Sequence, residues 1–141
     1  ASSNARDIDI ASKIASTATL FRKYFPEANV NFSPWDNISE NDGLDTIDFS
    51  FNFPGWSPCI ECRAILLQLR IANNQKSGVP QLLGVVMKGM ILAKERWRVA
   101  TIGKWEMTGT HLPQKAQKDN LFLVCKELYK LFSTTSSGNK K

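Results

Sequence analysis

Residues 46–53 read TIDFSFNF, an order that a helix would spread over its whole circumference. In an extended chain, where side chains repeat every two residues, it puts Ile47, Phe49, Phe51 and Phe53 on one face and Thr46, Asp48, Ser50 and Asn52 on the other. That is the pattern of a half-buried strand. A strand with one greasy face and one wet face needs hydrogen-bonded neighbours and a covering layer, and the chain contains candidates for both. CRAILLQLRIA from Cys62 turns Ile65, Leu67, Leu69 and Ile71 inward, with Gln68 and Arg70 outward. LLGVVMKGMILA and RWRVATIGKWEM continue the series, the latter with Gly103 as a bulge or bend, and Val30 and Phe32 suggest a short strand before Pro34.

The covering layer is predicted at the two ends of the chain. Over residues 5–25, Ile8, Ala11, Ala15, Ala18, Phe21 and Phe25 recur every three or four residues, and Pro26 ends the helix because it has no backbone N–H to donate. Near the C-terminus, Leu121, Val124, Cys125, Leu128, Leu131 and Phe132 share one helical face. Between the strands lie turn formers: SPWDNISENDGLD reads as a surface loop, FPGWSP as a turn, NNQKSGVP as a turn, and Ala93-Lys94-Glu95 as a tight return. Short connections force antiparallel pairing, since parallel neighbours need long crossovers. The expected fold is therefore α+β with two layers: an antiparallel sheet of about five strands, with N- and C-terminal helices packed on one face, in the order α-β-β-β-β-β-α. One domain over residues 1–132 and a flexible polar tail over 133–141 complete the expectation. The layout resembles small chaperone-like and adaptor domains, such as secretion-chaperone-type folds, and that resemblance is one of architecture alone.

Charge is unevenly divided along the chain. Residues 1–62 carry four bases against nine acids, and residues 63–141 carry fourteen bases against four acids, within a formal net charge of +5. Basic residues of the second half that fall on one exposed face would attract anions or an acidic partner. No apolar run is long enough to span a bilayer, so no membrane association is expected. Three cysteines leave one unpaired within the chain, which favours the cytoplasm or another reducing compartment over a disulfide scaffold.

The stretch GWSPCIEC, residues 55–62, carries Pro-Cys-x-x-Cys, half of the zinc signature of nucleobase deaminases, and its Trp-Ser-Pro-Cys resembles the antibody-diversifying and antiviral cytidine deaminases. Such an enzyme needs a third zinc ligand, His or Cys, followed two residues later by a glutamate that shuttles protons. The family places this element upstream. Here no histidine or cysteine precedes Cys59, and the sole histidine, His111, is followed by Leu112 and Pro113. The resemblance thus carries no catalytic residue across. Cys59 and Cys62 remain weak metal or redox candidates: if both lie in extended chain, residues three apart point to opposite faces and cannot share a metal. No phosphate-cradling glycine loop or hydrolase-like carboxylate pair occurs, so neither a catalytic residue nor a cofactor is expected.

What remains is a surface. By alternation Arg96, Arg98 and Lys104 should face solvent while Trp97, Val99 and Trp105 face the core. With Arg70 and Lys88 this makes an exposed basic face that also carries Leu66, Val86 and Met90. Trp56, in its Pro-Gly turn, is a further binding candidate, since tryptophan is over-represented among interface anchors. The leading expectation is a non-enzymatic binding or assembly module using the uncovered sheet face and the Trp56 turn, with a protein partner or a second copy of the chain. The alternative is nucleic-acid or other polyanion binding through the basic C-terminal half.

Overall fold

Strand propensity and alternation produce the expected layout. In the computed structural model, which describes residues 2–31, 39–41, 44–57, 59–72 and 81–133, a seven-stranded antiparallel sheet carries both helices on one face. The chain order is α1 (Ser2–Tyr24), β1 (Asn29–Asn31), β2 (Ser39–Asn41), β3 (Leu44–Ser57), β4 (Cys62–Ala72), β5 (Gln81–Ile91), β6 (Lys94–Ala100), β7 (Glu106–Gly109) and α2 (Lys115–Phe132). In space the strands run β1-β3-β4-β5-β6-β7, with β2 also paired to β3.

The core sits between sheet and helices. Ile47, Phe49 and Phe51 of β3, Ile65, Leu67, Leu69 and Ile71 of β4, Val85 and Met87 of β5, and Trp97 and Val99 of β6 are all buried. Phe21 of α1 stacks on Phe51 with ring centroids 3.9 Å apart, and Leu121, Val124, Cys125, Leu128 and Phe132 form the buried stripe of α2. Leu131, expected on that stripe, lies partly buried at its edge. The helices also meet across a hydrogen bond from the Tyr24 hydroxyl to the Glu127 carboxylate.

The strand count differs from the expected five for two reasons. The run 96–107 is not one strand: the chain reverses over residues 101–105, where Gly103 takes a left-handed φ of 76°, and returns as β7 paired with β6. The reversal resets the alternation, so Trp105 is not beneath the helices. It is 40% exposed and stacks along the flank of α2, its centroid 5.6 Å from Tyr129 and 6.3 Å from Phe122. The second reason is β2, which pairs with the start of β3 inside the stretch expected to be loop.

Turn positions also shift. FPGWSP is not the turn between β3 and β4. Strand β3 continues to Ser57 through an irregularity between Asn52 and Ser57, and residues 59–61 form the turn ahead of β4, with Glu61 at φ 61°. The next hairpin turns on Leu92 and Ala93, one residue earlier than expected, with Ile91 and Lys94 paired across it. The side chains of residues 2–10, and residues 32–38, 42–43, 58, 73–80 and 134–141 with the polar tail, lie outside the described residues.

Candidate binding surface on the open sheet face

Because the core residues of β3, of β4 from Ile65, of β5 from Val85 and of β6 from Trp97 occupy odd positions, the even positions of those stretches form the other face, which neither helix covers, and the register shift opposite Gly89 and Met90 brings Glu95 onto it. The ladder lines these residues up in rows. The central row runs Ser50, Leu66, Lys88, Arg98, Thr108 from β3 to β7. On one side lies the row Asp48, Gln68, Val86, Ala100, Glu106, and on the other Asn52, Ala64, Met90, Glu95. Leu66 is 39% exposed in the middle of this surface, while Val86 is buried.

Lys88 and Arg98 stand directly opposite each other on adjacent strands. Like charges in that position oppose strand pairing. Glu95 answers part of the charge: the Arg98 guanidinium donates from Nε to Oε2 at 3.2 Å and from Nη2 to Oε1 at 3.0 Å. Nearby, Gln68 donates to Asp48 at 3.2 Å and accepts from the Arg70 Nε at 3.2 Å. Arg70, Lys88 and Arg98 therefore share the face. At its margin, Ile102 lies over Gly84, where a side chain would collide with it at 2.5 Å.

The other sequence candidates are elsewhere. Arg96 falls in the irregularity between Gly89 and Met90 on the partner strand and turns to the end of the sheet. There its Nη2 binds Glu61 Oε1 at 2.8 Å, and its Nε is buried without a hydrogen-bond partner among the described residues. It is a structural clamp on the β3–β4 turn, so its expected place on the basic face is corrected by the slip in β6. Lys104 is exposed in the reversal between β6 and β7, away from the central row. The backbone of Trp56 belongs to the irregular end of β3, and its side chain lies outside the described residues.

Cys59 and Cys62 are not both in extended chain: Cys59 lies in the turn and Cys62 opens β4, paired with Ser57. Cys62 is fully buried, and that burial pushes its thiol up to about 12, which suppresses the thiolate that metal binding or nucleophilic attack needs. Among the described residues no group of three or more His, Cys, Asp or Glu side chains could hold a metal ion. His111 is exposed; its Nδ1 lies 3.0 Å from the Thr110 hydroxyl and its backbone N–H binds the Arg96 carbonyl. No described helix is long and apolar enough to cross a membrane.

Sequence reasoning located Leu66, Lys88 and Arg98 because alternation is legible without coordinates. It missed their alignment in one row and the role of Glu95, both of which depend on register. The pairing of Glu61 with Arg96 left no local signal, since those residues are 35 apart.

Comparison with curated proteins and with solved structures gives no match. A family described as a domain of unknown function matches residues 2–134, nearly the full length, and the chain belongs to that family.

Proposed function

We propose that this chain is a non-enzymatic binding module that docks a protein on its open sheet face, with Trp56 at the irregular end of β3 as a second contact. The observation that carries the reading is the row Leu66, Lys88, Arg98: an exposed leucine beside two cations that face each other across a strand pair. The like-charge cross-strand pair weighs against the isolated domain, and the half-exposed leucine beside it is apolar area that a partner could bury. A partner surface with apolar residues and a carboxylate placed for Lys88 would answer both. Complementary charge of this kind sets partner choice and encounter rate more than raw affinity.

Polyanion binding has less behind it. Glu95 occupies Arg98, Asp48 and Glu106 border the row, and the described residues of this face include no aromatic ring on which a base could stack.

The test is a photo-crosslinking amino acid placed at Leu66 in cells of the source organism, with exposed Ser12 as the control position. A discrete protein adduct from position 66, absent from position 12 and lost in a Lys88→Glu, Arg98→Glu background, is the expected outcome. Adducts to nucleic acid alone, or protein adducts indifferent to charge reversal, would overturn the proposal.

A further inference from the structure

Leu92 is 89% exposed and sits at the first central position of the two-residue turn joining β5 to β6, with φ at +56°. Glycine is preferred where a two-residue hairpin turn needs positive φ at that position, because it has no Cβ to clash. Water disfavours leucine there as well. The residue thus stands against both the backbone and the solvent, and its side chain serves neither core nor ladder.

At the same end of the sheet lies a groove of about 230 Å³. Its lining includes Phe25, Pro26, Phe53 and Ile60, with Glu27 and Gln117 as polar members. Small-molecule sites run to about 300–1,000 Å³, so this groove is sized for a side chain. Ile60 belongs to the β3–β4 turn, and the register Ala64 opposite Met90 brings that turn and the Leu92 turn to one end of the β4–β5 pair. The exposed Lys94 follows Leu92 by two residues, and exposed Glu27 lines the groove.

We infer that Leu92 of one copy of the chain seats in this groove of a second copy, with Lys94 facing Glu27, and that a two-fold axis makes the exchange reciprocal. Tip and groove at one end of the molecule are compatible with a closed, isologous pair, in which every tip-to-groove contact is made twice. Nothing in this contact uses the open sheet face, so it does not rest on the proposal above.

The test is sedimentation of the full chain from low micromolar to near-millimolar concentration. The wild type is expected to dimerise with concentration. Leu92→Gly should remain folded and weaken the dimer by roughly tenfold or more, the loss expected for an apolar anchor. Glu27→Lys and Lys94→Glu should each weaken it by a smaller factor, and the double charge swap should restore it. A wild type that stays monomeric throughout, or a dimer untouched by Leu92→Gly, overturns the inference. Leu66→Asp separates the two surfaces: the dimer should survive it, and a dimer abolished by Leu66→Asp alone overturns the pairing through Leu92.

Discussion

Leu92 and the buried cysteines show how single residues hold free energy in opposite senses. At φ +56° the leucine Cβ crowds its own backbone, a conformation that costs an L-residue roughly 1–2 kcal/mol. Leu92→Gly removes that strain but gains freedom in the unfolded chain, so the net expectation is a stabilisation of about 0.5–1 kcal/mol. Urea denaturation at neutral pH reads it, and a destabilised variant would show that the side chain packs within its own fold. Cys62 and Cys125 are held the other way. Burial pushes both thiols from an ordinary value near 9.0 to about 12. Above pH 9 the unfolded chain releases these two protons while the folded chain keeps them. The thiols' contribution is thus complete below pH 9 and is lost as pH rises toward 12. Stability should fall by roughly 1 kcal/mol per thiol for each pH unit in that window. Denaturation under reducing conditions at pH 8 and pH 10 measures it, and a flat profile would mean that the thiols ionise freely in the fold.

At the level of elements, the β5–β6 hairpin is fastened by Trp97. Its indole N–H donates to the Ile60 carbonyl at 2.7 Å, which ties β6 to the β3–β4 turn, and its ring lies against Gly89 on the neighbouring strand. A Cβ at position 89 would fall 2.1 Å from the buried indole, which cannot swing away without giving up its hydrogen bond. Gly89→Ala should therefore cost about 1–3 kcal/mol, as overpacking does elsewhere. The emission of the buried Trp97 should shift to the red in the same variant. A neutral substitution would mean that the ring has room the packing does not show. Gly89 also marks where the sequence stops being legible. TIDFSFNF and AILLQLRI reveal their strands because a period of two is printed in the residue order, and the α1 and α2 stripes are legible for the same reason at a period near 3.6. The split into β6 and β7, the rotation of Arg96 toward Glu61 and the exposure of Trp105 come from one reversal at Gly103 and one slip beside Gly89. A slip of one residue moves every later side chain to the opposite face, so alternation carried past it misplaces them. The candidate site divides likewise: Leu66, Lys88 and Arg98 precede or straddle the faults in phase, whereas Arg96 falls within one.

For the whole molecule, the two contacts proposed divide the surface. Pairing through the Leu92 end leaves both open sheet faces free, so a dimer would present two copies of the Leu66, Lys88, Arg98 row and gain from a partner with repeated sites. The charge balance of the intact domain decides between that picture and a polyanion binder. The second half of the chain is strongly basic, yet the fold scatters those charges. Lys115 pairs with Asp119 at 3.0 Å, Arg96 with Glu61 and Arg98 with Glu95, while Lys104 stands at the far reversal. On the open face, Lys88 and Arg70 are the cations without an acidic partner among the described residues, although Arg70 already donates to Gln68. Each phosphate neutralised on duplex DNA contributes a slope of about −0.9 to the logarithm of affinity against the logarithm of salt. Two such cations predict a slope no steeper than about −2 and weak binding even at low salt. Titration of a labelled duplex and of a single strand from low to physiological salt measures it. A slope steeper than about −4 would require at least four cations converging on one ligand, and the distribution of charge over this fold would then have to be redrawn around the helices rather than the sheet.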